Sequence, residues 1–334
     1  MRFNEQSLAL KSLQLEDSVY RITTSYAIDK LKNSITALGV LDLPIVRQKA
    51  GGYQIVAGFR RIDACRLLGR YDIRARVLPT DIDNSTCVRL AIADNSLQRP
   101  LNLIETARAL NLLAGVAADE MQLSRQAAVL ALPDNPSLMR KIMSLTTLPV
   151  GLQNRLAAGE LALSMALELK RLDSATAESL GRLFADLKLG LNRQRELLSL
   201  LTEIARREEM TVSELLTDPA LRNLLSAPDL ERSQKAGQLR SLLRRRRYPV
   251  MSAATAGFQD LVRQLNLGPG VQLVPPGNFE GTTYTLAITF DRLEQLRDRR
   301  LQIENLLRSQ TLKAFFENKN SYFLPRRLPK KRFD

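Results

Sequence analysis

One stretch near the N-terminus, YQIVAGFRRIDA at residues 53–64, decides the fold. Its first half predicts a β-strand, because Ile55 and Val56 are β-branched, and Gly58 is the residue that ends this strand. A helix is predicted immediately afterwards, since apolar residues recur at helical spacing: Ile62, Cys65 and Leu68. Gly69 is the predicted end of that helix. The sequence therefore predicts a strand that passes through a single glycine into a helix.

Two arginines, Arg60 and Arg61, lie in the first turn of this predicted helix. A helix N-terminus carries unpaired N–H groups and a partial positive charge, so cations are unfavourable there and anions are favoured. A phosphate group bound at the glycine would explain why two arginines occur at this position. The alternative, which the stretch alone leaves open, is that both side chains point into solvent.

Composition limits the kind of protein and the chemistry available to it. The 334 residues carry a net charge of +14 with 45% hydrophobic residues, which favours a globular protein with a polyanionic partner such as DNA. No histidine is present, which excludes histidine-based nucleophilic catalysis and most zinc sites. The cysteines, Cys65 and Cys87, are expected to be buried free thiols. With no apolar run long enough to span a bilayer, we expect a cytoplasmic, nucleoid-associated protein without a membrane partner.

The segments around the opening stretch predict an α+β domain. Residues 1–14 are expected to form one short strand or a flexible arm. The predicted strands are 18–22, 43–48, 53–57 and 73–77, with the turn Gly51-Gly52 between the second and the third. One helix is predicted from Tyr26 to Leu38, with Ser25 as its N-cap and Gly39 at its end. Another is expected to open at Asn84 or Ser85 and to run to about Leu97.

Several of these segments resemble, in order and spacing, the N-terminal domain of ParB-type chromosome and plasmid partition proteins. The likeness covers about residues 15–115 and extends more weakly to about 175. It rests on the following segments: Leu31–Ile35, Gly39–Val46, Gly51–Tyr53, the strand–glycine–helix stretch, and Asp94-Asn95 through Arg99. The resemblance implies a ParB/sulfiredoxin-like α+β domain that binds a nucleotide.

In that family a Gly-Glu-Arg-Arg box and a Glu-Asn-x-x-Arg box hold the triphosphate of CTP and its Mg²⁺. Carried over to this sequence, the resemblance implies a set of nucleotide-binding residues: Gly39, Asp42, Ala57, Gly58, Phe59, Arg60, Arg61, Asn95, Gln98 and Arg99. It implies Asp94 and Asn95 as the residues that hold the metal, and a carboxylate beside an amide suits a hydrated Mg²⁺ that bridges phosphates. CTP is the expected nucleotide, and ATP is left open.

Three departures from the family pattern bear on activity. Phe59 stands where the family box has an acidic residue implicated in nucleotide hydrolysis. Asp42 replaces an amide in the first box, with Pro44 displaced by one position. In the third box Gln98 takes the arginine position, and Arg99 follows one step later. We therefore expect nucleotide binding with at most weak CTPase activity, and we assign no catalytic residue.

From residue 101 onward the sequence predicts helices, with a degenerate helix-turn-helix. Asn135 and Pro136 are the predicted cap and first residue of its second helix. The expected DNA contacts are Arg125, Ser137, Arg140 and Lys141. A helical bundle without DNA contact is the alternative. The family's glycine-histidine-alanine-arginine signature is absent, since Ala162–Ala166 stands there, so we do not expect the family's usual centromere-like site.

A run of four arginines, Arg244, Arg245, Arg246 and Arg247, precedes Pro249. Consecutive residues cannot share one helix face, so we interpret the run as a broad positive collar and not as an ion-pair ladder. Such a collar suits sequence-independent contacts with DNA phosphates. A solvated domain boundary is the alternative.

The C-terminal part predicts a small α/β domain in which two strands, 271–274 and 284–290, lie between two helices. Two strands alone do not make a stable sheet, which favours a homodimer through this domain. The predicted division of the chain is as follows: 1–100 nucleotide-binding, 101–225 helical, 226–250 basic linker, 251–311 dimerisation, and 312–334 basic tail.

Two classes of function remain open from the sequence. The leading hypothesis is a ParB-like DNA-binding protein that responds to CTP, acts in partition or as a DNA-binding regulator, and works with a partner ATPase where one exists. The alternative is an enzyme of the ParB/sulfiredoxin fold that uses ATP, as in proteins resembling free-serine kinases. In that case a carboxylate such as Asp42 or Asp63 would have to be the base.

Overall fold

The structure, a computed structural model, describes residues 3–24, 28–279 and 281–317. The chain divides into two compact units, Met1–Gln194 and Arg195–Asp334, and each is treated by itself. Two predicted features, the N-cap at Ser25 and the basic tail after residue 317, lie outside the described residues. The finer division into five parts stays a prediction.

A four-stranded mixed sheet lies at the centre of the first unit. Its strands are β1 (Asn4–Ala9), β2 (Ile45–Lys49), β3 (Gly52–Ala57) and β4 (Asp72–Leu78). The strand order is β1-β4-β2-β3, in which β4 pairs antiparallel with β1 and parallel with β2, and β2 pairs antiparallel with β3. The β2–β3 hairpin turns at Gly51, whose φ is +82°, so the predicted glycine turn is confirmed.

Three helices accompany the sheet: α1 (Asp29–Leu38), α2 (Phe59–Leu67) and α3 (Asn84–Ser96). The predicted strand–glycine–helix unit is confirmed, since β3 ends at Ala57, Gly58 is the N-cap of α2, and α2 follows. The N-cap of α3 is Asp83, whose carboxylate accepts a hydrogen bond from the Thr86 N–H, one residue before the predicted start.

The prediction of a strand at 18–22 is wrong. This segment is irregular, and its large side chains are buried by tertiary contacts and not by strand pairing. Tyr20 and Ile22 are each 1% exposed, and the Tyr20 hydroxyl donates to Asn84 Oδ1 at 2.5 Å. The core beneath them is continuous from the sheet to α2 and α3, and includes Val46, Ile55, Val56, Ile62, Cys65, Cys87 and Ile92. Both cysteines are buried free thiols.

The rest of the first unit is helical, as predicted. Its helices are α4 (Leu103–Ala114), α5 (Glu120–Val129), α6 (Pro136–Met143), α7 (Val150–Ala157), α8 (Leu163–Leu169) and α9 (Ser174–Asp186). α4 is the central one, because it contacts α3, α5, α6 and α7, and its inward residues Ile104, Leu110 and Leu113 are fully buried. The first unit is therefore an α+β domain followed by helices, which confirms the predicted fold class.

The second unit is mostly helical. Its elements are α10 (Leu191–Arg207), α11 (Val212–Leu216), α12 (Pro219–Ser226), α13 (Arg232–Arg247), α14 (Pro249–Leu265), β5 (Val271–Val274), β6 (Thr285–Ile288), α15 (Leu293–Arg308) and α16 (Gln310–Glu317). β5 and β6 form the predicted two-stranded antiparallel sheet. A small core of Phe258, Leu261, Leu273 and Phe315 holds α14, β5 and α16 together.

Helix α13 occupies most of residues 226–250, the stretch that was predicted to be a basic linker. Its buried face, made of Ala236, Leu239 and Leu243, explains why this polar stretch is helical. Among the described residues, no helix combines the length and the hydrophobicity needed to cross a bilayer.

Candidate functional site: an arginine-lined cavity at the N-terminus of α2

The backbone at Gly58 forms the base of the candidate site. Its φ is +88°, in the left-handed region that favours glycine. A Cβ at this position would lie 2.7 Å from the Cβ and 2.8 Å from the Cα of Pro44. Glycine therefore allows the end of β3 to approach Pro44 closely while the chain turns into α2. Because Gly58 has no side chain, the first turn of α2 begins without a side-chain cap.

A cavity of about 260 Å³ opens at this helix end. It brings together eight predicted site residues from two helices and the turn after α3: Gly58, Phe59, Arg60, Arg61, Asp94, Asn95, Gln98 and Arg99. The structure thus brings the two sequence boxes, which lie about 35 residues apart, to one cavity, where Arg61 Nη2 lies 3.5 Å from Asp94 Oδ1. The convergence itself is a structural fact, whereas the nucleotide role of these residues stays a prediction.

Three predicted site residues do not line the cavity. Ala57 is 1% exposed at the end of β3, and Gly39 ends α1 with a φ of +75°. The side chain of Asp42 is 42% exposed, and its carboxylate forms an ion pair with Arg61. Five further lining residues escaped the sequence reasoning: Tyr20, Ile22, Thr23, Leu31 and Val56. They are mostly apolar, and only the fold brings them to the cavity.

Arg61 is the most constrained basic side chain at the cavity. Its side chain is 16% exposed; Nη2 pairs with Asp42 and lies 3.5 Å from Asp94 Oδ1. Its Nη1 is buried and has no hydrogen-bond partner among the described residues. Buried donors in folded proteins are nearly always satisfied, and those at charged groups are the most costly to leave unpaired. Nη1 lies next to Gly58, 3.2 Å from the position that a Cβ would occupy.

Asp94 supplies the negative charge opposite the arginines. Burial of its carboxyl raises the pKa of Asp94 above its ordinary value; the nearby Asp42 adds to this, and Arg61 opposes it. The neighbouring Asn95 donates from Nδ2 to the Ala91 carbonyl at 3.0 Å, which fixes the orientation of its amide. A carboxylate in this setting would be stabilised by an additional cation.

Arg99 is held by a carboxylate of the protein itself. Its Nη1 and Nη2 donate to the two oxygens of Glu105 at 2.7 and 2.9 Å, a bidentate pair that raises the pKa of Arg99. Glu105 is completely buried, whereas the Arg99 side chain remains 35% exposed and lines the cavity. The pairing of Arg99 with Glu105 was not foreseen from the sequence.

Phe59 cannot take the part of the family's acidic residue. It is 6% exposed, and the Arg21 guanidinium lies over its ring, 5.5 Å from the centroid. Arg21 also forms an ion pair with Asp63. Asp42 and Asp63, the two carboxylates that the enzyme alternative would use as a base, are therefore both engaged by arginines. Nothing in the cavity favours that alternative.

Within residues 3–24, 28–279 and 281–317, no group of three or more histidine, cysteine, aspartate or glutamate side chains could hold a metal ion. The prediction from the resemblance that Asp94 and Asn95 hold a metal together with the phosphates of a ligand stays a prediction. Mg²⁺ in phosphate sites is commonly held in this way, by one or two carboxylates and the phosphates of the ligand.

The predicted helix-turn-helix forms as α5 and α6. Asn135 caps α6, with its Oδ1 accepting from the Leu138 N–H at 3.0 Å, and Pro136 is the first residue of the helix, as predicted. The predicted DNA-contacting side chains are all exposed: Arg125, Ser137, Arg140 and Lys141. Arg140 is partly neutralised, since its Nη1 lies 2.5 Å from Glu120 Oε1. DNA contact by these residues stays a prediction.

The interpretation of the four arginines as an unpaired collar is wrong for three of them. Arg244 pairs with Glu196, and Arg247 with Glu203, both on α10. Arg246 pairs with Glu208 at 2.6 Å and Asp218 at 2.7 Å. Hydrogen bonds from these arginines help to lower the pKa of each of the four carboxyl groups. Arg245 is exposed, and among the described residues no ion pair engages it.

Comparison with known proteins places the first unit in a class. The sequence profile of the ParB N-terminal domain matches residues 4–96. A probable chromosome-partitioning protein ParB of Xylella fastidiosa is 30% identical over 181 residues, which is 53% of this chain and 56% of that protein. The chromosome-partitioning protein ParB of Myxococcus xanthus is 30% identical over 139 residues, 42% of this chain and 45% of that protein. The chain thus spans about half the length of the curated relatives it matches.

Solved structures of the same class are similar over the first part of the chain. C-terminally truncated ParB of Caulobacter crescentus, complexed with CTP-gamma-S, is 25% identical and covers 54% of this chain and 98% of that chain, with a TM-score of 0.26. The same truncated protein complexed to the centromeric parS site is 22% identical, covers 57% and 96%, and has a TM-score of 0.33.

The sheet order, the strand–glycine–helix junction and the arginine-lined cavity define an α+β domain with a basic cavity at the N-terminus of α2. Residues 4–96 of this domain match the ParB N-terminal domain, and the chain is similar to chromosome-partitioning ParB proteins over about half of its length. The resemblance seen in the sequence is confirmed.

Proposed function

We propose that the first unit binds a nucleoside triphosphate, CTP in the first instance, with its phosphates at the N-terminus of α2. One observation carries the proposal: the buried Arg61 Nη1 lacks a partner beside a glycine that opens an uncapped helix, at the edge of a cavity. A phosphate oxygen would satisfy that donor. It would also accept hydrogen bonds from the first N–H groups of α2 and offset the unfavourable placement of two cations at this helix end.

The cavity fits a triphosphate better than a whole nucleotide. Its volume of about 260 Å³ lies just below the roughly 300–1,000 Å³ typical of small-molecule sites. The phosphates are the strongly charged part of a nucleotide, and Arg60, Arg61 and Arg99 all line the cavity. Part of the nucleoside would then lie outside the enclosed volume, which makes discrimination between bases the finer question for experiment.

Mg²⁺ accompanies the triphosphate in this proposal. Asp94, held at the cavity with a raised pKa, is the carboxylate that would contact the metal or its water, and Asn95 is the adjacent amide. The metal would complete its shell with phosphate oxygens. Because Phe59 cannot accept a proton, we propose that nucleotide occupancy acts as a binding signal, with hydrolysis at most weak.

The proposed role of the whole protein is DNA binding in partition. It is supported by the 30% identity to proteins named chromosome-partitioning ParB and by the net charge of +14. Exposed basic residues on α5, α6 and α13, namely Arg125, Lys141 and Arg245, are available for phosphate contacts. We also propose a homodimer through the second unit, where α15 leaves Leu293, Leu301 and Leu307 each about two-thirds exposed. The partition role implies a cytoplasmic, nucleoid-associated protein and a partner ATPase.

The nucleotide proposal is tested by isothermal titration calorimetry with CTP, ATP and GTP in the presence of Mg²⁺. We expect CTP to bind, and Arg61→Ala to weaken binding by about tenfold or more, as expected for the loss of a charge-assisted hydrogen bond. Arg74→Ala is the matched control, because Arg74 is an exposed arginine of β4 that pairs with Glu5 and lies outside the cavity. Absence of binding heat with all three nucleotides would overturn the proposal.

DNA binding is tested separately by a salt titration with a nonspecific duplex. Affinity that falls steeply with salt concentration indicates phosphate contacts. Failure to bind duplex DNA at low salt would remove the DNA role and would leave the nucleotide proposal intact.

A further inference from the structure

The carboxylate of Glu105 receives hydrogen bonds from four donors, although it lies in a helix outside the cavity. Arg99 donates to it through Nη1 and Nη2 at 2.7 and 2.9 Å. The backbone N–H groups of Thr24 and Asn102 donate to it at 3.0 and 3.2 Å. Burial raises the pKa of Glu105, but the hydrogen bonds from these donors lower it by more than burial raises it. The pKa is therefore lowered overall, and the group is a stable buried anion.

Residues at the start of α4 also hold the Thr23-Thr24 segment, which contributes to one wall of the cavity. Asn102 donates from Nδ2 to Thr24 Oγ1 at 2.7 Å, and Arg108 donates from Nη1 to the Thr23 carbonyl at 3.2 Å. Thr23 lines the cavity, as Arg99 does, whereas Glu105, Asn102 and Arg108 do not. Two cavity walls are thus fixed by hydrogen bonds that converge on the start of α4.

We propose that Glu105 is a positioning residue for nucleotide binding, which orients Arg99 and the Thr23-Thr24 segment around the cavity from the first turn of α4. The inference rests on the proposed function, since it assigns Glu105 a task in that same site. A guanidinium has five N–H donors, and Glu105 occupies one on each terminal nitrogen. The Nη1 group also donates to the Pro100 carbonyl at 3.1 Å, which leaves the donors on Nε and Nη2. The remaining donors of Arg99 are held in a fixed direction, which is what recognition of a phosphate requires.

Glu105 also completes a capping box with Asn102, so a purely structural role must be separated from a positioning role. A residue that only caps α4 affects stability and leaves the nucleotide affinity of the folded protein unchanged. A positioning residue changes that affinity in protein that is fully folded. The matched control is Glu214→Gln, the same substitution at the capping-box glutamate of α11 in the second unit.

The experiment measures the dissociation constant for CTP with Mg²⁺ by calorimetry, at a temperature where circular dichroism shows each variant to be folded. We expect Glu105→Gln to raise it by about tenfold or more, because Arg99 loses a charged partner. We expect Glu214→Gln to leave it unchanged. Thr24→Val removes only the hydroxyl that accepts from Asn102, and we expect a smaller rise of about threefold, since that bond is uncharged.

Unchanged affinity in Glu105→Gln, with normal binding by the wild type, overturns this inference and leaves the proposed function standing. If Glu105→Gln does not fold, the decision passes to Thr24→Val, and unchanged affinity there overturns the inference. If the wild-type protein itself binds no nucleotide, the proposed function fails, and the inference fails with it.

Discussion

Substitution of Gly58 by alanine tests the strand-to-helix junction on which the candidate site depends. The added methyl group meets two independent obstacles in the structure. The backbone has a φ of +88°, where L-residues other than glycine are strained. The new Cβ would also lie 2.7 and 2.8 Å from two carbon atoms of Pro44, well inside van der Waals contact.

The magnitude follows from adding the two effects. The left-handed conformation costs about 1–2 kcal/mol for a residue with a Cβ. Overpacking against Pro44, whose ring cannot move aside as a flexible side chain would, costs about 1–3 kcal/mol more. We therefore expect Gly58→Ala to destabilise the β3–α2 region by about 2–5 kcal/mol. Gly69→Ala is the matched control, because Gly69 ends α2 in a Schellman motif with a φ of +69° and nothing lies within 4 Å of the added Cβ.

The measurement is native-state hydrogen exchange, read by mass spectrometry on peptides from β3 and from α2 with its C-terminal turn. It reports the local free energy of opening even where the two units unfold separately. Gly69→Ala should cost only the conformational part, about 1–2 kcal/mol. If the two substitutions cost the same within about 0.5 kcal/mol, Pro44 does not approach Gly58 as described, and the reasoning about the site's base is refuted.

Three further predictions concern charged groups. Because burial raises the pKa of Asp94, its contribution to stability is fully present below its unfolded pKa and is lost as pH rises through the raised folded value. At pH 7, Asp94→Asn should therefore be at least as stable as the wild type in urea denaturation. A clear loss of stability would contradict the raised pKa. The pKa of Glu105 is lowered overall despite its burial, so its contribution to stability is present above its unfolded pKa and is lost as pH falls through the folded value. In acid denaturation, Glu105→Gln should lack this loss of stability. A pH dependence parallel to that of the wild type would argue against a lowered pKa of Glu105. Arg246→Ala removes the partly exposed pairs with Glu208 and Asp218 and should cost about 1–3 kcal/mol. Arg245→Ala should change stability by less than about 0.5 kcal/mol and, if Arg245 contacts DNA, should reduce the salt slope of DNA binding by about one. Equal stability of the two variants would refute the ion-pair network.

The local parts of the fold could be predicted because their signals lie within a few residues. The β-branched pair Ile55-Val56, the single Gly58 and the helical repeat that follows fix a strand, a turn and a helix. Likewise, Asn135 and Pro136 mark the start of α6 by a capping rule that needs no tertiary information.

The errors occurred where distant residues decide the structure. The segment 18–22 has the composition of a strand, but Tyr20 and Ile22 are buried by contacts such as that with Asn84, 64 residues away. The four consecutive arginines of α13 point in different directions around the helix, so no local rule shows that Arg246 pairs with Glu208, 38 residues earlier in the chain. Both outcomes reflect tertiary packing overriding local pattern.

The candidate site could be predicted only in part, because some of its residues belong to local sequence motifs and others are brought there by tertiary packing. The two boxes carry recognisable residues, and the structure does bring Arg60, Arg61, Asp94 and Asn95 to one cavity. The apolar wall formed by Ile22 and Leu31, and the clamp of Glu105 on Arg99, depend on how α1 and α4 pack, and no local spacing encodes that.

The central claim is that a triphosphate rests where β3 passes into α2, and a crystal structure of the protein with CTP and Mg²⁺ tests it most directly. The account predicts phosphate oxygens within hydrogen-bonding distance of Arg61 Nη1 and of the first N–H groups of α2, with the metal beside Asp94. Phosphates bound elsewhere on the chain, with Arg61 still paired only to Asp42 and Asp94, would contradict it.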